Sequence, residues 1–256
     1  MLSDNKYSIK QTLAEKFKGI IWKIEVDDAK PLIAIEARDV ENHTASFSLF
    51  NYEDGSVLFR DVSVDDSWAR SLGRVSNGIV YLNILLSKES PQYKGIIALN
   101  SDGGVLWQSF NKTFHDISGD GLIVFDPKVQ PVWFDVLNAR DGSTIQSRIQ
   151  NWISLKREVV LPEYLSSDDK LPVNFENIIV SEIAFLHYNN KDIYCYHLKN
   201  GNSYTQQLLI NEGDTILLKE DLAQGILKLN PEAFFITRSN LFCIRDEKRE
   251  IVSYLV

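Results

Sequence analysis

Cysteine and histidine are scarce in this sequence of 256 residues, which contains 2 Cys and 4 His. The two cysteines, Cys195 and Cys243, supply no disulfide framework and are typical of a reducing compartment. Too few Cys and His residues lie close together in the sequence to build a zinc site. We therefore expect no metal and no cofactor.

Long apolar runs are also missing. No stretch approaches the ~20 apolar residues of a membrane-spanning helix, and residues 1–6 lack the basic and apolar regions of a secretory signal. The sequence therefore predicts a cytoplasmic protein without a membrane partner.

Positive charge is sparse and scattered. The chain has 27 Lys and Arg against 35 Asp and Glu, for a net charge of −8, and its longest basic cluster is Lys156-Arg157. Binding to nucleic acid requires a concentrated cationic surface, so we expect no nucleic-acid partner.

Common catalytic motifs are absent as well. The sequence has no Gly-x-Ser-x-Gly, no phosphate-binding glycine loop and no His-Glu-x-x-His. The adjacent carboxylates Asp27-Asp28, Asp65-Asp66 and Asp168-Asp169 would point to opposite sides of an extended chain, which makes them poor acid/base pairs. We interpret them as solvated loops, and whether the protein is an enzyme stays open.

What the sequence does contain is a repeated hairpin pattern. An apolar run ends at a polar residue, turns and re-enters apolar sequence, and four of the five copies carry a turn glycine. The copies occupy residues 50–59, 99–107, 137–146, 197–206 and 244–253. Their turn residues, which are 48, 39, 59 and 48 residues apart, are Asp54, Asp102, Asp141, Asn200 and Lys248.

This spacing is close to the ~40 to 50 residues of a propeller blade. Runs rich in β-branched and aromatic residues between the hairpins predict further strands, and no linker divides residues 1–256. We predict an all-β chain with more than ~40% strand, forming one small β-propeller domain of five to six blades of four-stranded antiparallel sheets. A β-sandwich is the alternative.

The N-terminal segment is ambiguous. Residues 16–26 resemble a partial sixth unit, in which Gly19 and Trp22 hold the same relation as Gly104 and Trp107. Trp22 and Trp107 are accordingly expected to pack between neighbouring sheets. Before Gly19, apolar residues recur every four positions, which favours a short helix slightly over a strand.

One hairpin carries a family resemblance. The segment Ile97-Ala98-Leu99-Asn100, followed by a glycine turn and Trp107, resembles the outer hairpin of quinoprotein-like propeller repeats. The spacing from Asn100 to Trp107 is also similar to a degenerate Asp box of sialidase-type propellers. Both resemblances imply a propeller hairpin and no particular activity.

Over its whole length the chain resembles a family of uncharacterised bacterial proteins of about the same size. The segments that carry this resemblance are IIWKIEV at 20–26, EARD at 36–39 and KGIIALN at 94–100. The resemblance implies no substrate and no catalytic residue.

Two candidate chemistries compete with plainer interpretations. A metal site could be built from four residues of FHDISGDGLIVFD, namely His115, Asp116, Asp120 and Asp126. Their spacing does not match a calcium loop, however, and Asp120-Gly121 is more simply a turn. His197 follows Cys195 by two residues, a spacing that in a strand places a nucleophile and its base on the same face. Cys195 and Cys243 nevertheless fall at matching repeat positions, where other copies carry Leu49, Ala98 and Val136, which predicts buried core residues.

The remaining candidates are aromatic. Trp68, His115 and Trp152 fall where one unit crosses to the next, and we predict that they converge into a shared binding rim. The plainer alternative is that they are core aromatics in separate layers. The leading function is a noncatalytic module that binds an unknown protein or small molecule. The alternative is an enzyme of the sialidase, lyase or glycosidase type, with an axial active site assembled from several blades.

Overall fold

The computed structural model describes residues 8–87, 90–166, 179–180 and 182–256. Strands account for 62% of these residues, and α-helix is absent among them. This confirms the predicted all-β class, since ordinary domains have only ~20 to 25% strand. No helix among the described residues has the length and apolar content that a membrane crossing requires.

The strands of the described residues are numbered here in chain order. They are β1 (Gln11–Lys16), β2 (Ile20–Val26), β3 (Leu32–Asp39), β4 (Thr44–Asn51), β5 (Val57–Val62), β6 (Arg70–Ser76), β7 (Ile79–Ser87), β8 (Ser90–Leu99), β9 (Val105–Ser109), β10 (Thr113–Ser118), β11 (Gly121–Phe125), β12 (Phe134–Leu137), β13 (Thr144–Ile149), β14 (Glu163–Leu165), β15 (Ile183–Tyr188), β16 (Lys191–Asn200), β17 (Ser203–Glu212), β18 (Thr215–Ile226), β19 (Phe234–Thr237), β20 (Asn240–Arg245) and β21 (Glu250–Leu255).

The chain forms two compact units, and the first consists of residues 17–158. It contains three four-stranded antiparallel sheets, each built from strands that are consecutive in sequence: β2 to β5, β6 to β9, and β10 to β13. These are called the first, second and third sheets. Each corresponds to one unit of the sequence repeat.

The other unit combines residues 1–16 with residues 159–256. It contains a five-stranded sheet, β14 to β18, and a last sheet in the order β1-β21-β20-β19. The N-terminal strand β1 thus completes a sheet whose other strands come from the C-terminus, with Lys16 opposite Glu250.

Five antiparallel meanders, one of them completed by the N-terminal strand, have the strand topology of β-propeller blades. The predicted fold class is confirmed, and the two-sheet sandwich does not fit. The expectation of a single domain stays a prediction.

The N-terminal helix prediction is wrong, because the segment forms β1. Ile9 and Leu13 are buried, and a spacing of four residues places side chains on one face of a strand as well as on one face of a helix. Pairing with β21 decides between the two. The prediction of a partial sixth unit is also wrong, because residues 20–26 form β2, the first strand of the first sheet.

The five predicted hairpins are all present, but they are not equivalent. The turn at Lys248 joins β20 and β21, the second and third strands counted from β19. The turns at Asp54, Asp102 and Asp141 join the third and fourth strands of their sheets. Cys243 therefore does not match Leu49, Ala98 and Val136 in position, and that equivalence was wrong.

Trp107 packs between the second and third sheets, as predicted. It lies in a cluster with Tyr81 and Leu122, and its indole N–H donates to the Ala139 carbonyl at 2.9 Å. Trp22 does not: its side chain is 59% exposed, and the prediction for it was wrong.

Asp27 and Asp28 are not solvated loop residues, which corrects another prediction. Asp27 is 3% exposed and accepts four backbone N–H bonds, two of them from residues 77 and 78 in the turn between β6 and β7. The carboxylate thereby ties the first sheet to the second. Asp65 and Asp66 are exposed, as predicted, and Asp168 and Asp169 lie outside the described residues.

Candidate binding site

A β-bulge interrupts the first strand of each sheet in the unit of residues 17–158. The pairing register shifts across three positions, which are Trp22 in β2, Gly73 in β6 and His115 in β10. A bulged residue is left unpaired in the hydrogen-bonded strand ladder, and its side chain points in a different direction. Trp22 and His115 are both exposed.

His115 stands among three aromatic side chains of the third sheet and the segment that follows it. Its ring centroid is 4.7 Å from that of Phe134, 5.3 Å from that of Trp152 and 6.2 Å from that of Phe125. The Trp152 and His115 rings meet edge to face at 86°. We call these four residues the aromatic site.

The alternation of side chains along the strands explains the position of the aromatic site. Leu122 and Val124 of β11 pack towards the second sheet, in the cluster that contains Trp107. Ile123 therefore points to the opposite face, where it packs with Phe134 and Trp152. The aromatic site lies on that opposite face, and its rings are half-buried or exposed.

Asp116 fixes the orientation of Trp152. The indole N–H of Trp152 donates to one carboxylate oxygen of Asp116 at 2.8 Å, and the Ser154 hydroxyl donates to the same oxygen. Burial alone would raise the pKa of Asp116, but these two hydrogen bonds, with help from the Ile117 N–H and His115, lower it below its ordinary value. Asp116 is thus an ionised acceptor that anchors the ring.

A cavity of about 350 Å³ adjoins Trp152. Its wall carries the side-chain amides of Gln146, Gln150 and Asn151, together with Arg148. Amides both donate and accept hydrogen bonds, so these residues offer partners for a polar ligand beside an aromatic ring.

Trp68 lies in a different cluster. It belongs to a short 3-10 turn at Ser67–Ala69, where the Arg38 guanidinium is sandwiched between the rings of Trp22 and Trp68, 5.2 and 4.9 Å from their centroids. Arg38 also donates to Glu36 at 2.6 Å and to the Arg70 carbonyl at 3.0 Å. The structure therefore brings His115 and Trp152 together, and places Trp68 against Arg38. Whether any of the three binds a ligand stays a prediction.

Among the described residues there is no group of three or more His, Cys, Asp and Glu side chains that could hold a metal ion. Cys195 and His197 share one face of β16, but Cys195 is 3% exposed and burial raises the pKa of its thiol to about 12. A thiol that keeps its proton is a poor nucleophile. Cys195 and Cys243 are buried and free, in one apolar cluster, as predicted.

Sequence reasoning missed Phe125 and Phe134, and it assigned Asp116 only to a possible metal site. The signal for Phe125 was present, because it follows Ile123 by two residues in a strand. No local pattern linked Asp116 to Trp152, which is 36 residues away.

A family model described as a domain of unknown function (DUF4905) matches residues 26–107 of the chain. The matched range includes the segments at 36–39 and 94–100 and ends in the second sheet. The resemblance to an uncharacterised family is confirmed over that range, and it brings no activity with it. No curated protein matches the chain.

The search of solved structures gave two matches with low sequence identity. The β-propeller domain of the Trilobed protease from Pyrococcus furiosus, which has an open velcro topology, is 10% identical with a TM-score of 0.34, and the match covers 89% of this chain and 78% of that one. A bifunctional GH43-CE protein from Bacteroides eggerthii is 11% identical with a TM-score of 0.27. That match covers 96% of this chain, which spans only 34% of the Bacteroides chain.

Proposed function

We propose that the protein is a noncatalytic binding module that takes up a small polyhydroxylated ring, such as a sugar, at the aromatic site and the cavity beside Trp152. The observation that carries the proposal is the pairing of accessible rings with amides: His115 and Trp152 meet at 5.3 Å, and Gln146, Gln150 and Asn151 line the adjoining wall. The proposal includes no nucleic-acid and no membrane partner.

The chemistry of the two surfaces is complementary to a sugar. A sugar ring has an apolar face of C–H groups, which stacks on aromatic side chains, and a rim of hydroxyls, which donate and accept hydrogen bonds. Trp152 supplies a ring held in place by Asp116, so little conformational entropy is lost when a ligand stacks on it. The amides supply partners for the hydroxyls.

The carboxylates favour binding without catalysis. Glycoside hydrolysis uses two carboxyl groups, one of which has a raised pKa and acts as the general acid. Asp116 has the opposite property, since its pKa is lowered and its oxygen is engaged by Trp152 and Ser154. The carboxylate that lines the cavity itself is that of Asp120. An enzyme of the sialidase, lyase or glycosidase type remains the competing class.

The test is a titration of the ¹⁵N-labelled protein with glucose, galactose, xylose, N-acetylglucosamine, sialic acid and their common disaccharides. Each sugar is added to ~10 mM, about ten times a dissociation constant of ~1 mM. We expect at least one sugar to shift the indole N–H resonance of Trp152. If every resonance of the aromatic site stays unchanged with all of them, the proposal is overturned. Breakdown of a bound disaccharide during the titration would instead establish the enzyme.

A further inference from the structure

A second cavity lies in the unit of residues 17–158 and has about 470 Å³. It lies between the second and third sheets, bounded by the β6–β7, β10–β11 and β12–β13 turns, and we call it the inter-sheet cavity. Its floor is apolar, with Ile79, Ile117 and Leu122 from the two sheets. The volume is in the range of small-molecule sites.

Two opposite charges line the same cavity. Asp120 lies in the β10–β11 turn and Arg140 in the β12–β13 turn, and both are exposed. Within the described ranges neither side chain takes part in an ion pair, so they are more than 4.0 Å from each other and from every other described charge of opposite sign. The wall of this cavity thus carries a negative and a positive side chain, neither with an ion-pair partner in the described part of the chain, and a ligand that carries both charges would complement them.

The Tyr81 hydroxyl is a third polar group at the cavity. Tyr81 is 1% exposed and lines the cavity, and no group in the described part of the chain hydrogen-bonds to its hydroxyl. Burial, and then the charges of Asp28 and Asp27, raise the pKa of Tyr81, which keeps the phenol protonated as a donor. A ligand in the cavity can therefore accept a hydrogen bond from this phenol.

We propose that this cavity binds a zwitterion with an apolar side chain, the class of the free apolar α-amino acids. The ligand's ammonium group lies against the Asp120 carboxylate, its carboxylate against the Arg140 guanidinium, and its side chain on Ile79, Ile117 and Leu122. The Tyr81 hydroxyl hydrogen-bonds to the ligand. Arg140 suits a carboxylate because its planar fork donates two parallel bonds.

This site is distinct from the sugar site, although the two cavities share two wall residues. Ser118 and Asp120 stand on the walls of both. Arg140 lines only the inter-sheet cavity, and Trp152 lines only the other. Variants of Arg140 therefore test the zwitterion site alone.

Trp107 supplies a reporter. Its indole N–H donates to the carbonyl of Ala139, and Ala139 lines the inter-sheet cavity. A ligand bound there shifts the Trp107 indole resonance in a ¹H–¹⁵N spectrum, and a Trp107→Phe variant assigns that resonance. The Trp152 indole reports on the sugar site in the same spectrum, so a failure of one proposal is distinguishable from a failure of the other.

The experiment titrates the full chain with leucine and phenylalanine to ~10 mM, and with leucinamide and N-acetylleucine as analogues that lack one charge. We expect leucine or phenylalanine to shift the Trp107 resonance. Each analogue and each of the variants Arg140→Met and Asp120→Asn should bind at least ~10-fold more weakly, the effect of losing one charge-assisted hydrogen bond. The matched controls Lys128→Met and Asp102→Asn remove exposed charges elsewhere in the same unit and should bind as the wild type does.

Three results would overturn the proposal. The first is no shift of the Trp107 resonance with either amino acid. The second is binding that Arg140→Met leaves unchanged. The third is leucinamide binding as tightly as leucine, because then the carboxylate is not recognised.

Discussion

The indole N–H of Trp152 donates a hydrogen bond to the carboxylate of Asp116 at 2.8 Å, across 36 residues of sequence. This contact fastens the segment that leaves the third sheet to the first strand of that sheet. The bulge at His115 directly precedes Asp116, so one short stretch both turns a histidine to the surface and holds a tryptophan beside it. The aromatic site depends on this local arrangement.

Removing the indole donor while keeping an aromatic ring should weaken the fold of the third sheet. We expect Trp152→Phe to lower the free energy of unfolding by about 1–2 kcal/mol, because the hydrogen bond from the indole N–H to the charged Asp116 carboxylate is lost. Urea unfolding of Trp152→Phe, Asp116→Ala and the double variant measures their coupling. Additive effects of the two single variants would show that the contact contributes nothing.

Gly142 should be far less tolerant of a methyl group than another turn glycine. Its φ is +69°, and a Cβ there would lie 2.7 Å from Trp107 Cε3. Gly201 has a similar φ of +61° but nothing within 4 Å of the same position, which makes it a matched control. We expect Gly201→Ala to cost ~1 kcal/mol from backbone strain, and Gly142→Ala a further ~1–3 kcal/mol from overpacking. Equal losses in thermal or urea unfolding would contradict the packing of Trp107.

The two cysteines should be inert in the native protein. Burial raises the pKa of the Cys195 thiol to about 12, and it raises the pKa of Cys243 as well. A thiol reagent such as DTNB should therefore label neither until the chain is unfolded in urea. Replacement of either by alanine should cost only ~1 kcal/mol and leave ligand binding intact. Rapid labelling of the native protein would disprove the core assignment.

His197 should make stability depend on pH. Burial lowers its pKa below the ordinary histidine value of 6.5, and its Nε2 accepts the Asn230 N–H at 3.2 Å, so the folded state holds it neutral. The unfolded chain binds the proton more readily, so stability is present above pH 6.5 and is lost as the pH falls below that value towards the folded-state pKa. Urea midpoints at about pH 7.5 and about pH 5.5 should differ more for the wild type than for His197→Gln. The same difference in both proteins would remove His197 as the cause.

Much of the fold could be predicted because hairpin turns and alternating strands are local signals. The turns at Asp54, Asp102 and Asp141 are tight glycine hairpins, and their spacing is the size of one sheet. The error at the N-terminus has a physical cause, since the residues of β1 pair with residues 234 to 243 positions later, from Lys16 with Glu250 to Gln11 with Tyr254, and a four-residue apolar spacing suits both helix and strand. Propensity alone cannot decide such a case.

The candidate site was predictable only in part. His115 and Trp152 were chosen because they lie near crossings between units, and they are in contact. Trp68 was chosen by the same argument, but the cation of Arg38 holds it elsewhere. The bulges at Trp22 and His115 depend on the pairing register of whole strands, and the cavities depend on packing between sheets, so neither has a signature in the sequence.

In the proposed function the accessible rings of the aromatic site carry ligand binding. Their contribution is measured by the affinity of His115→Ala for whichever sugar of the panel binds the wild type most tightly. Because His115 is exposed, its removal should leave the melting temperature nearly unchanged while weakening binding ~10-fold. The control Trp22→Ala removes an exposed tryptophan outside the site and should leave the affinity unchanged. Equal affinity of the wild type and His115→Ala would show that the rings of the aromatic site do not bind the sugar.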